Sequence, residues 1–167
     1  MRHSIVREGV IAGVLGATAV ALWFLGVDAL YAHPLATPRA LGRGLLGVLG
    51  PRGSEGTWVF VSAYTVFHYV MFILAGLVVS AIVHAARTNP TVLAGAMILF
   101  VVFEIAFYAL SSALEQSPFL GALGWGAVAT GNLIAALAIG AYMWWLHPEL
   151  KGQFDFALSG KEERGGS

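Results

Sequence analysis

Cysteine is absent from this chain, which excludes disulfides, thiolate metal sites, cysteine nucleophiles and CxxC redox chemistry together, and leaves the redox compartment unread. Charge is scarce as well. Asp, Glu, Lys and Arg make up 11% of the 167 residues, and nine basic side chains balance nine acidic ones. With no net charge of either sign, nothing points to nucleic acid or to acidic partners. A Walker-type phosphate loop, HExxH, GxSxG, a paired-carboxylate box and a dinucleotide fingerprint are all missing.

What the chain does have is hydrophobic residues, 58% of the total, in four long runs at about 9–32, 57–86, 92–114 and 119–146. A hydrocarbon core of ~30 Å needs ~20 helical residues, so each run is long enough to cross a bilayer. Asp28 and Glu104 are the only unambiguous charges within them. The expected fold is an all-α membrane protein, a four-helix transmembrane bundle with short loops and one longer external loop. Residues 1–148 form the single domain, and 149–167 a mixed-charge, glycine-rich tail expected to be disordered. The basic start and apolar middle of the N-terminal segment also suit a signal peptide, but the run is long, Glu8 interrupts its approach, and no small-x-small cleavage site precedes His33-Pro34. A first transmembrane helix is the expectation.

Chain breakers fall where hydropathy ends each span: His33-Pro34 and Thr37-Pro38, Asn89-Pro90, Ser117-Pro118 and His147-Pro148. The two tight connections make the second, third and fourth spans antiparallel neighbours. The loop 34–56 contains RALGRGLLGVLG, with Leu41, Leu45 and Leu49 on one side, which suits either a short interfacial helix or a flexible cap. An even number of spans places both termini on one side. Arg2, Arg7, Arg87, Lys151, Lys161 and Arg164 lie on that side against Arg39, Arg43 and Arg52 on the other, so the positive-inside rule expects cytoplasmic termini in a bacterial inner membrane.

In lipid, helices associate through close backbone contact, and small residues at four-residue spacing mark the faces that pack. Gly9, Gly13, Ala17 and Ala21 form such a row on the first span, and Ala127, Gly131 and Ala135 on the fourth.

Polar residues form a second pattern. Glu104, Tyr108, Ser111 and Glu115 fall within a ~60° arc of the third span. Thr57, Tyr64 and His68 make a matching stripe on the second. His68, Glu104 and Asn132 come to similar depth. The expected ligand- or ion-binding set is therefore His68, Glu104, Tyr64, Tyr108 and Asn132, a polar pocket with a titratable pair at its floor. A hydrogen-bonded network that only glues helices explains the same residues.

No catalytic residue, metal site or cofactor is expected. His68 and Glu104 lack a third ligand. Haem between His84 and His147, which both lie near the terminal side, is an alternative to two interfacial histidines. Asp28 is expected to be satisfied at the interface or to pair with Arg39 or Arg43, and Glu8 to sit among headgroups. The leading expectation for function is a non-enzymatic accessory or structural subunit, acting as a homo-oligomer or within a larger membrane complex. A small transporter or proton-coupled channel is the alternative, and a b-type haem protein or other membrane enzyme the third.

Overall fold

The structure, a computed structural model, describes residues 4–48, 55–86 and 125–148, with scattered positions between 88 and 105. Among these residues the regular structure is all helix, with no strand. The elements are α1 (Ile5–Leu30), α2 (Ala36–Val48), α3 (Thr57–Ala86) and α4 (Trp125–Leu146). Three helices, α1, α3 and residues 126–146 of α4, are long and apolar enough to cross a membrane, which is compatible with an integral membrane protein. Most of the third apolar run, including Glu104, Tyr108, Ser111 and Glu115, lies outside the described residues.

Helix α1 is the hub of the long helices, packing against both α3 and α4, which barely meet each other, while α2 packs mainly on α3. Contacts fix the directions. Gly9 faces Leu77 and Gly13 faces Ile73, so α3 runs antiparallel to α1. Gly16 faces Ile139, and Trp23 meets Ala127, so α4 is antiparallel to α1 too. Helices α3 and α4 are therefore parallel to each other, and the start of α1 meets the ends of both.

Close approach depends on glycine. A Cβ at Gly9 would stand 2.6 Å from Leu77 Cα, one at Gly13 2.5 Å from Ile73 Cα, and one at Gly76 would collide with the Gly9 carbonyl oxygen. Missing side chains let the two backbones touch, which is how helices gain dispersion contact where lipid removes the hydrophobic drive. On the α4 side, Ala12 joins Val83, Ile139 and Met143 in a small buried cluster.

The loop after α1 is ordered. His33 N–H bonds to Asp28 O and Ala32 N–H to Ala29 O, at 3.1 Å each, closing α1 with the two crossed bonds that cap a helix C-terminus. Ala32 takes the left-handed backbone this requires, at φ 57°. Helix α2 then starts over Asp28, whose carboxylate accepts both the Thr37 N–H (2.8 Å) and the Thr37 hydroxyl (2.7 Å). Asp28 thus caps the first turn of α2, where helical N–H groups lack partners, and no ion pair to Arg39 or Arg43 is involved. Of the two forms expected for this loop, the helix is the one observed. It packs on α3 at Gly42, where a Cβ would collide with Phe60 O, and Arg43 stacks 5.4 Å from the centre of the Phe60 ring.

Candidate functional site

Two buried polar clusters stand out, one midway along α1 and α3 and one where the helix ends meet. In the first, His68 is 8% exposed and donates from Nε2 to the carbonyl of Ala17 on α1, at 3.1 Å. That hydrogen bond leaves Nδ1 as an acceptor, 3.5 Å from the Tyr64 hydroxyl, at the outer limit of a hydrogen bond. Phe72 and Tyr69 pack around the ring at centroid distances of 4.7 and 5.9 Å, and the Tyr69 hydroxyl meets Thr18 Oγ1 at 3.0 Å. A cavity of about 180 Å³ lies beside this group, bordered by Phe24, Asp28, Tyr64, His68 and Tyr69.

Of the residues expected to form the polar set, the structure brings His68 and Tyr64 together. Glu104 and Tyr108 lie outside the described residues. Asn132 is half-buried on α4, next to Gly131, which faces Trp23 and Phe24. His68 meets α1 at Ala17, six residues nearer the start of that helix, so Asn132 and His68 differ in depth by about 9 Å at 1.5 Å per residue. In the packing rows, Gly9, Gly13 and Ala17 are buried against α3, whereas Ala21 is exposed beside the cavity. Gly131 is buried against Trp23 and Phe24 of α1, Ala135 is buried as well, and the Ala127 carbonyl accepts a 2.9 Å hydrogen bond from Trp23 Nε1.

The second cluster is built from Glu8, His84 and His147. Glu8 occupies the first turn of α1, at the positive end of the helix dipole; His84 is in the last turn of α3 and His147 directly follows α4, at the negative ends. Pro148 stops α4 and leaves His147 as its last hydrogen-bonded residue, with its N–H on Met143 O. Glu8 is only 3% exposed rather than set among headgroups, and His147 is 0% exposed. His147 Nε2 donates to Glu8 Oε2 at 2.9 Å. His84 Nδ1 lies 3.9 Å from the same oxygen and donates to Ser80 O at 2.9 Å. The two imidazoles meet edge to face, 5.5 Å between centroids. One ligand atom from each of the three residues lies within 4.8 Å of the others, a spacing from which a small ion can be held.

Sequence reasoning set His84 and His147 level but left Glu8 out. The available signal was that all three fall at the same end of their predicted spans. Comparison with protein families, with curated proteins and with solved structures finds no match.

Proposed function

We propose that this chain is a small, non-enzymatic integral membrane protein that serves as an accessory or structural subunit, with four spans and cytoplasmic termini in a bacterial inner membrane. The observation that carries the reading is the unequal use of its surface. Glycine brings α1 into backbone contact with α3, while Val66, Val70, Leu74 and Val78 of α3 and Leu133, Leu137 and Trp145 of α4 remain exposed. Lipid or a neighbouring span, whether a second copy or a larger partner, covers such faces. Cross-linking in native membranes, then mass analysis in mild detergent, is expected to find a stoichiometric partner or a second copy. A chain that stays single in every membrane preparation overturns the subunit reading.

Four spans are supported by the parallel course of α3 and α4. A chain that leaves α3 at one end of the bundle and enters α4 at the other has to return across the thickness between them. The orientation rests on the six-to-three basic count. Because the chain has no cysteine, single cysteines placed at Thr88 and Gly126 report sidedness cleanly. The expected result is labelling of Thr88→Cys from the cytoplasmic face only and of Gly126→Cys from the opposite face only. Labelling of both from one face rejects the four-span topology.

The cavity beside His68 favours a second reading, a small transporter or proton-coupled channel. On that reading, liposomes holding the protein dissipate a pH gradient and the His68→Leu variant does not. Equal leakage from protein-containing and empty liposomes removes it.

A further inference from the structure

The end of the bundle where α1 starts and α3 and α4 finish carries a donor set that helix packing does not require. Glu8 and His147 are 139 positions apart in sequence, yet they meet at 2.9 Å, and His84 completes a group drawn from three different helix ends. A carboxylate and an imidazole buried together, with a second imidazole half-buried beside them, are costly unless each is paired. The Glu8–His147 hydrogen bond answers for two of them. It does not answer for His84, whose Nδ1–H is held by the Ser80 carbonyl and whose Nε2 is buried without a hydrogen-bond partner. Nor does it answer for the Ser80 hydroxyl, fully buried one turn away and likewise without a partner.

We propose that Glu8, His84 and His147 form a binding site for a divalent transition-metal ion of the zinc class. This goes beyond the subunit reading and does not depend on it. Two imidazoles and one carboxylate are a borderline donor set; calcium and magnesium ask for oxygen alone, and copper(I) for sulfur. Three protein ligands on a four-coordinate ion leave one position open to water or to a further group. The hydrogen bond from His84 Nδ1 to Ser80 O is the kind of outer contact that fixes a ligand histidine's tautomer and leaves its other nitrogen as donor. With metal–nitrogen bonds of ~2.0–2.1 Å, ligand atoms around one ion stand roughly 3.3 Å apart; the His84 nitrogen that lies 3.9 Å from Glu8 Oε2 is Nδ1, so binding through Nε2 requires the His84 ring to turn as well as the three side chains to close in. Imidazole ligates only through an unprotonated nitrogen, so for His147 to bind through Nε2 the proton now donated to Glu8 moves to Nδ1 of a neutral ring, or is released to solvent from a protonated one. An ion there also clasps the first turn of α1 to the ends of α3 and α4.

The test uses the full chain, free of any affinity tag, purified in mild detergent and stripped with a chelator. It is titrated with Zn²⁺ by calorimetry and with Co²⁺ by visible absorption, in a background of Mg²⁺ and Ca²⁺. The expected result is one ion per chain, not displaced by Mg²⁺ or Ca²⁺. Glu8→Gln, His84→Gln and His147→Asn each weaken binding at least tenfold, whereas His33→Gln, at the opposite end, leaves it unchanged. Glu8→Gln keeps an acceptor for His147, so its helical content and elution without metal are expected to match the parent. A parent that takes up no Zn²⁺ overturns the site, as does tight binding untouched by all three ligand substitutions. Should a variant fail to fold, X-ray absorption of the cobalt-loaded parent decides: a first shell without imidazole nitrogen overturns the proposal.

Discussion

Gly76 of α3 lies so close to Gly9 of α1 that a Cβ at position 76 would collide with the Gly9 carbonyl oxygen. Two backbones in contact cannot yield as two side chains can, so the cost of adding a methyl group depends on what it meets.

That difference separates two glycines. At Gly13 a Cβ meets the backbone of Phe72 and Ile73, whereas at Gly131 it meets the Trp23 and Phe24 side chains at 3.3 Å. Gly13→Ala is expected to lower stability by roughly 1–3 kcal/mol through overpacking. Gly131→Ala is expected to lose less than about 1 kcal/mol, because side chains turn aside and alanine favours the helix. Unfolding of both variants in the same detergent checks the ranking, and equal losses would mean that backbone contact does not limit the α1–α3 seam.

Asp28 and Thr37 offer a second measurement. The carboxylate accepts from both the amide and the hydroxyl of Thr37, so Asp28→Ala removes a cap and is expected to cost about 1–2 kcal/mol. Thr37→Val removes only the hydroxyl half. A double-mutant cycle should show a coupling of about 0.5–1.5 kcal/mol between the two positions. Strict additivity would place the stabilising contacts of Asp28 elsewhere.

The limits of helix α3 are plain in the sequence, because its apolar run starts just after Gly56 and stops before Asn89-Pro90. Four-residue spacing marks Gly9, Gly13 and Ala17, and these residues face α3. Ala21 continues the spacing but lies exposed beside the cavity, since a periodic row says nothing about how far two helices stay together. Gly16 falls off the row, yet a Cβ there would stand 2.8 Å from Ile139 of α4. A hub helix needs a second small-residue face, and that becomes visible only once its two neighbours are known. Glu8 was the least legible. At the start of a span a carboxylate reads as a headgroup contact, and its partner His147 is brought beside it only by the antiparallel course of α1 and α4.

The turn after α1 gives the last prediction. Ala32 sits at φ 57°, in the left-handed region where a Cβ crowds the following carbonyl at a cost of roughly 1–2 kcal/mol. Its N–H bonds Ala29 O while the next N–H bonds Asp28 O, so the backbone is held there by the capping bonds. Glycine adopts this conformation without the steric cost but loses more chain entropy on folding. The difference favours glycine, and Ala32→Gly is expected to raise stability by roughly 0.5–1 kcal/mol. Ala32→Val, β-branched at the same φ, is expected to lower it by at least as much. Thermal unfolding of the two variants beside the parent checks both signs. A destabilised glycine variant would mean that the chain does not hold a left-handed residue at position 32, and the path by which α1 hands over to α2 would have to be redrawn.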